Sequence, residues 1–112
     1  MEISYNEIAP ETVTITVLGK VMLGAESEQI VTVVSELLAK GTRVIIFNIA
    51  GVTAIDSTGI GRFIASYNQI AAAHGEMRIA EAKRYIFQAF HVSRLDTIFR
   101  FYPSMEEACN PA

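Results

Sequence analysis

The run Ile55-Asp56-Ser57-Thr58-Gly59-Ile60-Gly61 holds the residue types in this chain best able to do chemistry. A carboxylate, two adjacent hydroxyls and two glycines lie between a dense apolar stretch and an amphipathic one. An Asp or Ser in that place caps a helix, its side-chain oxygen accepting a free backbone N–H, which accounts for either Asp56 or Ser57. It does not account for Gly59 and Gly61, each of which costs about 1 kcal/mol relative to alanine inside a helix. Two such losses in one turn imply either a close approach to the backbone or a turn that must stay adaptable.

As a nucleophile, Ser57 needs a base within hydrogen-bond reach. His74 lies 17 residues on along the same predicted helix, about 25 Å away at about 1.5 Å per residue. His91 belongs to another element and stays open as a base, although a histidine at a helix end is ordinarily solvated or paired with the helix dipole. The Gly-x-Ser-x-Gly elbow is missing. Asp-Ser-Thr-Gly has one residue too many for an aspartic-protease loop, and Gly59-Ile60-Gly61 lacks the third glycine and later acid of a dinucleotide fingerprint. No His, Cys or carboxylate cluster has metal-ligand spacing, so neither metal nor cofactor is expected. Ser57 fits better as a substrate. A phosphate in the first turn of a helix faces free N–H groups and a dipole worth roughly 0.3–1 kcal/mol, partly offset by the Asp56 carboxylate. Its effect then falls on a partner docked at the turn: reversing a bound population from 99:1 takes about 5.5 kcal/mol, and burying a doubly charged group costs that much. Arg62 is a candidate to pair with Asp56 or with such a phosphate, against the plainer reading of a solvated helix arginine.

These residues need elements to position them. Val13, Ile15 and Val17 alternate with Thr12, Thr14 and Thr16, which predicts a half-buried strand over Thr12–Leu18. A weaker strand, Ile3–Ile8, joins it through Ala9-Pro10-Glu11 as an antiparallel hairpin. Ile30, Val33, Val34, Leu37 and Leu38 predict a helix over Glu26–Lys40, closed by Gly41 in the left-handed position. Arg43–Ala50, with Val44-Ile45-Ile46-Phe47 unbroken by polar residues, predicts a central strand covered on both faces. Ile60, Phe63, Ile64, Tyr67, Ile70 and Ala71 form one buried stripe of a helix over Ser57–His74, ended by Gly75. A short strand Met77–Ala80, a helix Lys83–His91, an edge strand Thr97–Tyr102 and a short helix after Pro103-Ser104 complete the order. Such alternation builds an α/β domain with a mixed sheet and right-handed crossovers. It puts Asp56-Ser57 past the carboxyl end of the central strand, where ligands and partners meet open α/β sheets.

At 112 residues and 51% hydrophobic content the chain is one domain, residues 1–112. A net charge of −3 and no basic stripe argue against nucleic acid. The N-terminus shows no signal peptide, and the longest apolar stretch, Val44–Val52, is too short to span a bilayer, so no membrane insertion is expected. A single cysteine, Cys109, is a bystander thiol compatible with a reducing cytoplasm.

Asp56-Ser57-Thr58-Gly59-Ile60-Gly61, preceded by Val44-Ile45-Ile46-Phe47-Asn48 and Ile55, resembles the STAS domain of bacterial anti-sigma-factor antagonists. Gly19 after the second strand, Gly75, the Lys83–Phe90 helix, Leu95, Phe99 and a final short helix also match, so the resemblance covers about residues 3 to 109. It implies a mixed sheet of four to five strands covered by helices and a non-enzymatic module. By the resemblance, Ser57 is the phosphate acceptor, with Asp56, Thr58 and Gly59 shaping the recognised turn and Gly61 and Arg62 beside it. The implied partners are an anti-sigma factor that is also a serine kinase of histidine-kinase-like ATPase fold, and a metal-dependent serine phosphatase. Unphosphorylated antagonist binds the anti-sigma factor and frees the sigma factor; phosphorylation ends the binding. Many antagonists carry an acidic residue three positions after the glycine of the second strand, where this chain has Met22. STAS domains also serve as scaffolds in stress-sensing, lipid-transport and anion-transport assemblies. An exposed Met22-Leu23 pair would favour that role, whereas a pair capping the core would be neutral.

Overall fold

The Thr/Val alternation forms a strand, longer than its periodicity predicted. In the computed structural model, which describes residues 1–111, β1 (Glu2–Ala9) turns at Pro10-Glu11 into β2 (Thr12–Val21). Glu11 takes φ 61, and a proline followed by a left-handed residue is the type II arrangement. Helix α1 (Ala25–Ala39), strand β3 (Val44–Ile55), helix α2 (Ser57–Ala72), strand β4 (Glu76–Ala80) and helix α3 (Arg84–Val92) follow. A 3₁₀ turn over Leu95–Thr97, strand β5 (Arg100–Tyr102) and helix α4 (Met105–Cys109) end the chain. The 3₁₀ turn corrects the expected start of the last strand, which is confined to three residues.

The five strands lie in the order β1-β2-β3-β4-β5, with β1 antiparallel to β2 and every other pair parallel. Three crossovers that all step the same way, each right-handed, must put their helices on one face of the sheet. The packing agrees. One core joins Val13, Ile15 and Val17 of β2 and Ile45, Phe47 and Ile49 of β3 to the buried sides of α1, α2 and α3. Phe47, Phe63 and Phe90 tie β3, α2 and α3 together edge to face, with ring centroids 5.1 and 5.5 Å apart. On the opposite face α4 makes a smaller buried cluster, Ala108 over Ile46 and Ala80. This accounts for Val44–Phe47 showing no alternation, since β3 is covered on both sides. The C-terminal helix is held there by Arg78, whose Nη1 donates to the Ala108 carbonyl at 3.0 Å.

Two expectations change in detail. Strand β2 does not end at Leu18; it continues through Gly19, which takes φ 91, to Val21, across a register shift that leaves Thr53 of β3 as the extra residue. Gly41 does close α1 in the left-handed region, at φ 98. The residue that closes α2, however, is His74 at φ 60 and not Gly75. Gly75 is needed for another reason: a Cβ there would overlap the Arg43 carbonyl oxygen and meet Ile70 Cγ2 at 3.0 Å. The two positions should therefore respond oppositely in urea denaturation. His74→Gly, which relieves a left-handed side chain, should stabilise the fold by about 1 kcal/mol. Gly75→Ala should cost about 1–3 kcal/mol through overpacking.

Candidate functional site

Strand β3 outruns β4. Their pairing covers Val44–Asn48, whereas β3 stays paired with β2 as far as Val21↔Ile55. The resulting two-stranded extension carries Asp56 to the start of α2 and brings residues 21–23 beside it. Asp56 is extended (φ −113, ψ −175) and is the N-cap. Its Oδ1 accepts the Gly59 N–H at 2.8 Å and its Oδ2 accepts the Leu23 N–H at 2.9 Å. Its own N–H donates to the Val21 carbonyl at 3.4 Å, and its carbonyl accepts the Ile60 N–H at 3.0 Å. One carboxylate thus fastens the segment after β2 to the first turn of α2. The Gly59 N–H first, and then the Leu23 N–H, hold that carboxyl below the ordinary aspartate range, because both bonds favour the charged form.

The question of which residue caps the helix is thereby answered for Asp56, and Ser57 is left at the first helical position with its side chain exposed. Thr58 is half-buried. The two glycines have different explanations. Gly59 is buried, and a Cβ there would run into the Val21 carbonyl and reach Ile55 Cγ1 at 2.8 Å. The close approach inferred from the sequence is therefore made by the chain's own second strand. Gly61 meets nothing within 4 Å of an added Cβ, so no internal contact calls for glycine there.

Arg62 is neither solvated nor bonded to Asp56. Its Nε donates to Ser27 Oγ at 3.0 Å, its Nη2 to the Gly24 carbonyl at 3.4 Å, and it lies 3.7 Å from Glu28. Ser27 is itself buried and donates to Gly24, so Arg62 binds α2 to the start of α1, whose Gly24 cap offers no side-chain bond. Met22 and Leu23 do not cap the core: they are 40% and 79% exposed. Ile64, expected in the buried stripe of α2, is exposed as well. His91 stays with its own element, its Nδ1 2.8 Å from Asp96 and its ring stacked on Phe87, and among the described residues no hydrogen bond joins it to Ser57. The Leu23 amide, the Val21 carbonyl and the Ser27–Arg62 pair belong to the site through contacts remote in sequence, which no local pattern signals. Only the Met22-Leu23-Gly24 string, an apolar pair running into a glycine, hinted at a special segment.

The family model of the STAS domain matches residues 6–108. The chain belongs to the STAS domain family. Comparison with curated proteins gives no match. Among solved structures, the STAS chain is similar to the phosphorylated form of the Bacillus cell-fate determinant SpoIIAA, at 23% identity over 97% of each chain with a TM-score of 0.76. A Thermotoga maritima protein solved as a proposed anti-sigma factor antagonist superposes with a TM-score of 0.84, at 19% identity over 96% of this chain and 91% of that one. A sulfate transporter family protein from Wolinella succinogenes gives 0.79 at 11% identity, over 92% of this chain and 85% of that one. At these identities the likeness establishes a shared fold, and the residues above have to speak for themselves.

Two measurements test the construction of this turn. Gly59→Ala should cost about 1–3 kcal/mol in urea unfolding, because the obstacle is backbone and cannot rotate away. Gly61→Ala should add about 0.5–1 kcal/mol, the ordinary gain of alanine in a helix. The lowered Asp56 carboxyl has a pH consequence of fixed direction. Its stabilising effect is present above the usual aspartate pKa of 3.8 and is lost as pH falls through the lower folded value. The stability gap between the native chain and Asp56→Asn should accordingly be widest near neutral pH and narrow in acid; a gap that widens on acidification would refute the assignment.

Proposed function

We propose that this STAS domain is a non-enzymatic protein-binding module of sigma-factor control, switched by phosphorylation of Ser57. Unphosphorylated, it docks on an anti-sigma factor that is also a serine kinase of histidine-kinase-like ATPase fold, and so releases a sigma factor. Phosphate on Ser57 ends the docking, and a metal-dependent serine phosphatase restores it. One observation carries the reading: the Ser57 side chain is exposed at the first position of α2, on a turn whose backbone is held from both sides by Asp56.

That arrangement suits a switch that works without unfolding. The capping bonds belong to Asp56, so modifying Ser57 breaks none of them. The site also has contact area to offer, since Leu23 and Met22 lie next to the turn and burying one such side chain is worth about 1.5–3 kcal/mol. Asp56, Thr58 and Gly59 shape the recognised surface, with Gly61 bare at its rim. A second reading rests on the same exposed pair. A STAS scaffold or accessory subunit of a stress-sensing or transport complex would use Met22 and Leu23 for constitutive docking and leave Ser57 unmodified.

Incubation with the kinase and ATP should add one phosphate that Ser57→Ala abolishes. Calorimetric titration of Ser57→Asp against the unmodified partner should show affinity falling at least about 100-fold, part of the roughly 10⁴-fold range a full switch spans. Modification of Thr58 alone would overturn the acceptor. Undiminished binding by Ser57→Asp would favour the scaffold.

A further inference from the structure

The sheet ends in open backbone along β1, along β5 and along the part of β3 that outruns β4, and the last two are closed. Beyond Asn48, side chains take the place of the missing strand. The Ala50 N–H donates to Asn48 Oδ1 at 3.0 Å, the Ala50 carbonyl accepts from Lys83 Nζ, and the Thr53 carbonyl accepts from the Tyr85 hydroxyl at 3.1 Å. The β5 edge is three residues long, begins with the charged Arg100 and runs into Pro103, devices by which natural sheets discourage further pairing. The β1 edge is different. It is paired to β2 in unbroken register from Glu2 to Glu7, is irregular only beyond Glu7, and holds no proline, lysine or arginine. Among the described residues the one side-chain bond to its backbone comes from Thr14 of its own neighbour. Its outer N–H and C=O groups are therefore open to a further strand.

The residue pattern of β1 says which strand fits. Ile3 and Tyr5 pair with Val17 and Ile15, so they stand on the helix-bearing face of the sheet. Ile3 packs on the edge of the core, while Tyr5 is 48% exposed. Glu2, Ser4 and Asn6 occupy the other face, all exposed. Directly opposed side chains of an antiparallel pair share a face, so a two-fold axis between two copies must pass through a residue and not between residues. An axis at Ser4 sets each Ile3 opposite the partner's Tyr5, and each Glu2 opposite the partner's Asn6. Aromatic against β-branched is a favourable cross-strand pair, the Asn6 amide can donate to the Glu2 carboxylate, and no carboxylate faces another. An axis at Tyr5 would instead set Ile3 against Glu7. A foreign strand would have to bring both matches of its own, whereas a second copy supplies them by symmetry.

We propose that β1 is a homodimer seam, at which two copies pair their β1 strands antiparallel about a two-fold axis at Ser4. The two five-stranded sheets become one, with their helices on the same side. The two Ser57 turns then point in opposite directions, both open to partners. The seam is short against a standard interface, so the association is weak. Sedimentation equilibrium of the full chain between about 20 µM and about 1 mM should show reversible monomer–dimer exchange. Amide NMR shifts that change on dilution should fall on Glu2–Glu7. Ser4→Lys, which sets like charges face to face on the axis, and Tyr5→Ser, which removes both aromatic pairs, should each weaken association about tenfold. Ser57→Asp should leave it unchanged. Cross-linking in a Cys109→Ser background reads the register. Directly opposed residues lie about 4.5–5.5 Å apart between Cα atoms, within the roughly 4.4–6.8 Å that a disulfide spans, so Ser4→Cys should oxidise to an intermolecular disulfide. Asn6→Cys, which faces Glu2, should not. A chain that stays monomeric to about 1 mM, association indifferent to Ser4→Lys, or cross-linking through Asn6→Cys in preference to Ser4→Cys would overturn the proposal.

Discussion

The turn at the start of α2 depends on a single carboxylate accepting two backbone N–H groups from opposite directions. Asp56 takes the Gly59 amide from the helix it caps and the Leu23 amide from a segment that is remote in sequence. A cap that satisfied the helix alone would leave residues 22–24 to find their own place. Because both oxygens are engaged, the position of Leu23 and the start of α2 are set together. Gly59 completes the arrangement by letting the helix settle directly on the Val21 carbonyl, and Arg62 adds a second tie from α2 to Ser27 and Gly24.

The location of this turn follows from topology in an indirect way. Open α/β sheets gather ligands where the strand order reverses and leaves a crevice. No reversal exists here, since β2 to β5 follow one another in sequence and carry their helices on one face. What the fold offers in its place is the β2–β3 extension past the end of β4. That projection carries the α2 N-terminus past the end of β4 and leaves Ser57 exposed there.

The elements were legible because their cause is local. Periodicities of 2 and 3.6 follow from which face of each segment is buried, and Val13-Ile15-Val17 and Ile30-Val34-Leu37 report their buried faces directly. Tertiary causes were not legible. Gly75 looked like a helix terminator, but its need for a missing Cβ comes from Arg43, far off in sequence, while His74 takes the left-handed position. Gly59 and Gly61 looked alike in the sequence; one is packed against β2 and the other is bare. Met22 and Leu23 carry apolar side chains that in most settings would be buried, and only the Asp56 bond to the Leu23 amide explains why the segment is held facing outward. At the site, then, the residue types could be picked out, and which atoms met could not.

The bonding of Asp56 and Arg62 also bears on where the charge of a phosphate on Ser57 would go. Two N–H groups favour the ionised form of Asp56, so it presents a negative charge beside the hydroxyl at neutral pH. Arg62 is already bonded to Ser27 and Gly24 and lies beside Glu28, and drawing it away would release a buried hydroxyl and the start of α1. Neutralisation by these neighbours is therefore costly in the folded chain. The added charge would remain directed outward, screened by solvent when the chain is free and desolvated when a partner covers the turn. The penalty would fall on the complex and spare the fold, and the rigidity of the turn is what keeps the two separate.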